Sequence, residues 1–331
     1  MKYTCSCMQH KAPAPAAKPA AKPFDMAASL ESISVAIDEA VSLYSNVVAA
    51  EGRVDEIETV LRDLGDAKQC IEKYGVSVEN MSLINKDNGF TDNLNLESLA
   101  IESIQTLSAD TKKMLQQQYT TAIESQVVDM IKTAIARIKD FFVQVGKWIA
   151  NQFDINAKLA KVVQNLKFDG ELPDDAEVSA MTKDDAEDAI KALKDLAANI
   201  SKIKSGDLNT DDKKVPESAK AKVSELGWKA EDVRKIRDDF VKEVGGVKAF
   251  SDAWKEFQAE AKKAETDANG AAAKEDKSIL DSLRESMKKW NAGRAVTGKY
   301  AAIWRKVAFS LIALDRKFKS AAAPAPAEPG K

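Results

Sequence analysis

Apolar residues recur at three- and four-residue steps from Leu30 onward: Ile33, Ile37, Val41, Tyr44, Val47 and Val48, then Val54, Ile57, Leu61 and Leu64. That period marks helices with one face turned inward. Gly52 falls in the gap and is expected to kink the run or join two helices. Gly75 is expected to follow a third short helix, and Asn88-Gly89 places a loop within 76–95. The helical pattern resumes at Asn95 and runs to Phe153, with a break expected near Ser108. Thr182 and Asp185 read as a helix start, with Ile190, Leu193, Leu196 and Ile200 as its apolar face and Gly206 as its stop. Pro216 is expected to open a further helix that ends near Gly227. Residues 230–265 hold one or two more, parted at Gly245-Gly246, and the last helices cover about 274–291 and 297–319. No stretch alternates over a strand length, so the expected fold class is all-α, an elongated multi-helix bundle or bundles.

Composition sharpens this outline. The chain has 331 residues, 44% of them hydrophobic, enough for a core. Both ends are Pro/Ala-rich, KAPAPAAKPAAKP at 11–23 and AAAPAPAEPGK at 321–331, and are expected to be disordered. The expected divisions are a tail 1–23, an acidic helical segment 24–102, an amphipathic helical region 103–168, an acidic linker 169–181, a helical domain 182–320 with a basic face, and a tail 321–331. The linker reading rests on Asp169, Glu171, Asp174, Asp175 and Glu177, with Gly170 and Pro173 among them. Lys and Pro occupy the stretch where a secretory signal needs about 7–15 apolar residues, and no apolar run reaches about 18, so neither a signal peptide nor a transmembrane helix is expected.

Chemistry is mostly excluded. The single His, His10, lies in the N-terminal tail, which removes Ser-His-Asp and Cys-His catalysis. Cys5, Cys7 and His10 supply three ligands where a structural zinc site needs four. There is no GxGxxG or GxxxxGK[ST] loop. Carboxylates are plentiful, but nothing in the pattern marks an apolar pocket that would shift one for acid–base work. No catalytic residue, cofactor or metal is expected, and three scattered Cys suit a reducing interior.

The formal net charge of −3 hides two opposed segments. Residues 24–102 carry sixteen carboxylates against five bases, a net of −11, and residues 277–320 carry a net of +8. The basic segment interleaves Arg284, Lys288, Lys289, Arg294, Lys299, Arg305 and Lys306 with aromatic residues. Such a face could neutralise phosphates and hold double-stranded DNA without sequence preference. Its aromatics equally form one helical face suited to a core. A second stretch, 127–153, puts Ile131, Ile135, Ile138, Phe142, Val145 and Trp148 on one stripe, with Lys132, Arg137, Lys139 and Lys147 mostly opposite. That pattern suits a membrane interface or a protein core.

The acidic helical front, then LSADTKKMLQQQYTTAIES, the long helix ending FFVQVGKWIANQF and the final GRAVTGKYAAIWRKVAFSLIALDRKF together resemble the internal head proteins of large tailed bacteriophages, across about 30–320. The resemblance implies a non-enzymatic virion protein inside the capsid, partnered by other core proteins and by packaged DNA, and present in the host cytoplasm during assembly. It also implies cutting by a prohead protease after a small or aliphatic residue, any residue and Glu. Ala100-Ile101-Glu102 followed by Ser103 fits best, because the charge changes sign there; Ala122-Ile123-Glu124, Ile37-Asp38-Glu39 and Leu283-Arg284-Glu285 fit loosely. On this reading residues 1–102 are a removable acidic segment. The alternatives are a membrane-active pore-forming or toxin-like protein using the stripe from Ile131, and a cytoplasmic helical scaffold or adaptor.

Overall fold

The computed structural model describes residues 24–75, 107–198, 214–243 and 278–318, with the single helical residues Lys255 and Ala259. Its elements are α1 (Met26–Tyr74), α2 (Ala109–Gln164), β1 (Glu177–Ala180), α3 (Lys183–Ala198), β2 (Ala219–Lys222), α4 (Ala230–Lys242) and α5 (Ser278–Asp315). The protein is all-α apart from one short antiparallel ribbon. Both Pro/Ala-rich tails lie outside the described residues.

Helix ends follow local chemistry. Asp25 caps α1, its Oδ1 accepting from the Ala28 N–H at 3.0 Å. The break expected near Ser108 is the N-cap of α2, where Ser108 Oγ accepts from the Thr111 N–H at 3.2 Å. Thr182 starts α3 reciprocally: Oγ1 accepts from the Asp185 N–H at 3.1 Å and donates to Asp185 Oδ2 at 2.6 Å. Each such cap satisfies a backbone donor that the helix leaves free. Gly75 ends α1 at φ 73°, a conformation glycine adopts without steric cost.

Among the described residues the helices are longer than the pattern implies. α1 runs 49 residues straight through Gly52, and α5 runs 38 residues through the expected gap between 291 and 297. A mid-helix glycine costs only about 1 kcal/mol, which a long packed stripe outweighs. At 1.5 Å per residue α1, α2 and α5 are about 74, 84 and 57 Å long. Three clusters line them up. Leu64, Ala67 and Ile71 of α1 meet Leu115, Tyr119 and Ile123 of α2. Val47, Ala50 and Val54 meet the α2 stripe from Ile131 to Ile149, with Met287 and Trp290 of α5. Ile33, Ala36 and Ala40 meet Ile155 to Val163, the second half of α5, and a small lobe of β1, β2, α3 and α4. α1 therefore runs antiparallel to both α2 and α5.

The lobe corrects two expectations. Within 169–181, Val178, Ala180 and Met181 are buried, so the end of that span is core rather than solvated linker. Pro216 opens no helix; it leads into β2, which pairs Glu177 with Lys222 and Ala180 with Ala219. Four residues hold only two inward side chains, too short a run for alternation to register in sequence. Trp228 Nε1 donates to the Met181 carbonyl at 2.8 Å and the Met181 N–H donates to Ser310 Oγ at 3.1 Å, tying the ribbon to α5. One core thus joins segments expected as separate domains.

Candidate functional site

The candidate site is the long groove where α1 and α5 lie side by side over α2. α1 brings carboxylates to its wall and α5 brings bases. Arg284 Nε donates to Glu58 Oε1 at 2.7 Å, and its Nη1 donates to Asp281 Oδ1 at 2.8 Å. Arg294 Nη2 donates to Glu51 Oε2 at 3.4 Å, while its guanidinium sits 5.5 Å from the Tyr44 ring centre. Asn291 Nδ2 donates to Glu51 Oε1 at 2.7 Å. The Glu58 hydrogen bond, reinforced by charge and by Asp281, raises the Arg284 pKa against the opposing effect of burial. Asp55 lies between Glu51 and Glu58; burial first, then those two charges, raise its carboxyl above the ordinary value.

The other wall of α1 pairs with α2. Arg53 Nη2 donates to Asp140 Oδ2 at 2.7 Å, and Lys68 Nζ donates to Glu124 Oε1 at 2.6 Å. The Gln144 hydrogen bond, followed by Arg53, holds the Asp140 carboxyl below its usual range despite burial. Two carboxylates of the acidic front, Glu51 and Glu58, thus meet bases of the basic back, while two bases of the front, Arg53 and Lys68, meet carboxylates of α2.

This decides where the expected site residues stand. Of the basic face, Arg284 and Arg294 are engaged by α1, and Lys288 is exposed but donates to Glu285 Oε1 at 2.8 Å. Arg305 donates through Nε to the Ala301 carbonyl at 3.2 Å, and burial lowers its pKa. Lys289, Lys299 and Lys306 are half-buried. The seven bases do not form an open phosphate-binding face. The stripe of Ile131, Ile135, Ile138, Phe142, Val145 and Trp148 is buried against α1 and α5, and Phe142 lies 4.7 Å from the Trp290 ring. It is core, because an amphipathic pattern marks a covered face without saying what covers it. Ala100, Ile101, Glu102 and Ser103 lie outside the described residues, as do Cys5, Cys7 and His10. All three looser cleavage patterns fall inside helices, and Ala40 and Ile123 are buried.

Sequence reasoning missed the α1 partners Glu51 and Glu58. The opposed charge blocks were their signal, read as segments to be parted rather than paired. It also missed a buried polar seam of Gln152 and Asn156 on α2 and Thr297 on α5, visible only as an i, i+4 polar interruption of an apolar stripe. Gly298 lets α5 approach here: a Cβ on it would sit 3.2 Å from Trp148 Cη2.

Two hollows open along the groove. One, about 340 Å³, is lined by Leu30, Ile33, Ser34 and Ile37 of α1 and Phe309, Ile312, Ala313 and Arg316 of α5. The other, about 230 Å³, lies at the Glu58–Arg284 pair over Val127 and Ile131. Neither brings a nucleophile and base together. Among the described residues no group of three or more His, Cys, Asp or Glu could hold a metal ion. Against expectation, α1 is long and apolar enough by composition to cross a membrane; an 18-residue window reaches mean hydropathy 1.3 and is 28% buried. Compared with family models, curated proteins and solved structures, the chain matches none.

Proposed function

We propose that this protein is a non-enzymatic structural component of a virus particle, a capsid-internal head protein that shares the head with other core proteins and packaged DNA. The mutual engagement of α1, α2 and α5 carries the structural part of this reading. Three helices of 38 to 56 residues turn their apolar faces and most of their inward charges toward one another. A rod of that kind offers shape and surface to neighbours rather than a reaction centre. The resemblance to internal head proteins supplies the setting.

Cleavage between Glu102 and Ser103 belongs to the same proposal, with one consequence changed. α1 places Ile33, Val47, Val54, Leu64 and Ile71 in the cores, and burial of each such side chain is worth roughly 1.5–3 kcal/mol. A cut between α1 and α2 would leave α1 bound without a covalent link. Mass spectrometry of purified particles should find peptides of α1 together with a peptide beginning at Ser103. A particle lacking the protein would refute the setting, and particles holding only the uncut chain would refute the processing. Capsid, portal and prohead-protease genes beside this one would be an independent check.

A further inference from the structure

We infer that the α1–α5 groove is a self-association surface on which a second copy of this chain docks, its two-fold axis running along the bundle. Four large apolar side chains stand out of the groove rather than into it. Val41 is 64% exposed, Val48 49%, Tyr44 47% and Phe309 40%. Val41, Tyr44 and Val48 follow one another at three and four residues, so they form one row on α1. This row extends the half-buried Leu30 and Ile37 that line the larger hollow, and Phe309 faces it from α5. From Leu30 to Val48 the row is about 27 Å long at 1.5 Å per residue. Two helix widths, about 20 Å, give a footprint near 540 Å² before surface relief is counted, approaching the roughly 800 Å² per partner of a standard interface.

Charge selects the occupant. The outer flank of the row on α1 carries the exposed Glu31 and Asp38, whereas Lys306 and Arg316 flank Phe309 on α5. A two-fold axis parallel to the helices sets α1 of one copy over α5 of the other at the same height. Acidic rim then meets basic rim twice, around the apolar row, as an isologous interface requires. An anionic lipid surface would attract one rim and repel the other.

Light scattering on the full chain tests this, and the dimer stands or falls independently of the capsid setting. The mass should approach twice 36.0 kDa. Val41→Glu and Phe309→Glu should each return it to 36.0 kDa with helicity unchanged, since both side chains are exposed. Asp38→Lys and Lys306→Glu should each weaken association tenfold or more, and the double variant should restore it. A wild-type chain that stays at 36.0 kDa up to about 100 μM would overturn the proposal, because a weaker dimer falls short of a specific interface. So would a monomer that floats with vesicles of phosphatidylcholine and phosphatidylglycerol, which would place a membrane on the groove. Association that survives both glutamate variants would also overturn it.

Discussion

If the acidic front and basic back are held together by α1 and α5, then Glu58 and Arg284 must be thermodynamically coupled. They are 226 residues apart in sequence and 2.7 Å apart in space. Their side chains are 33% and 39% exposed, between the exposed pairs worth roughly 0.2–1 kcal/mol and the buried pairs whose disruption costs roughly 3–5 kcal/mol. A coupling near 1 kcal/mol is therefore expected for this geometry, after allowance for solvent screening. Arg284→Ala should cost somewhat more than that, because it leaves Glu58 beside Asp55 and also removes the Asp281 bond. Arg284→Glu should cost about 2 kcal/mol, since it adds a carboxylate to three others. Glu58→Lys combined with Arg284→Glu should recover about half of that loss. The assay is urea unfolding of the full chain followed by circular dichroism, with the four corners of the Ala cycle compared at low and high salt. Coupling should shrink at 1 M salt, where the screening length is about 3 Å. Single-variant effects that add to within about 0.3 kcal/mol would refute the pairing, and with it the claim that α5 lies along α1.

Four further outcomes follow from the same geometry. Asp55, with its folded pKa raised, is a liability when ionised: its stabilising contribution is present below the ordinary value of 3.8 and lost as pH rises through the folded value. Asp55→Asn should therefore stabilise the protein at pH 7, and the gain should vanish in acid. Asp140, with its pKa lowered, has the opposite sign, so Asp140→Asn should destabilise at neutral pH by up to about 1 kcal/mol and converge with wild type as pH falls through the folded value. Gly52→Ala should raise stability by about 0.5–1 kcal/mol in thermal melts, because a Cβ there meets nothing within 4 Å, whereas Gly75→Ala should lower it at φ 73°. Ile138→Asp buries an unpaired charge at a site 1% exposed, so it should cost more than about 3 kcal/mol in solution without any membrane present.

Periodicity located the stripe of α2, where all six residues from Ile131 to Trp148 are buried; on α1 Ile33, Val47, Val54 and Leu64 are buried, but Val41, Tyr44 and Val48, expected on the same inward face, stand exposed beside it. Caps at Ser108 and Thr182 were also legible, since a side-chain oxygen acts on the next turn only. Helix continuity was not. Whether Gly52 breaks α1 depends on how much stripe is packed on either side, and that packing belongs to α2 and α5. The ribbon escaped notice because its buried residues, Val178 and Ala180, are covered by residues far along the chain. At the groove every base was visible, but the α1 partners of Arg284 and Arg294 were not. Arg284 and Arg294 were read as facing outward toward phosphate, when Glu58 and Glu51 stand against them.

The sequence by itself determined that the chain is helical, where its apolar stripes run, and that its charge is divided between an acidic front and a basic back. These are properties of neighbours within a few turns, carried by the 3.6-residue period and by side chains acting on their own backbone. Only the tertiary structure decided what each stripe and each charge faces. Charge blocks of opposite sign can be parted by a protease, offered to DNA or folded onto each other, and composition is the same in every case. The antiparallel return of α5 along α1 brings Glu58 to Arg284 and Glu51 to Arg294, so part of each charge block faces the other across the groove.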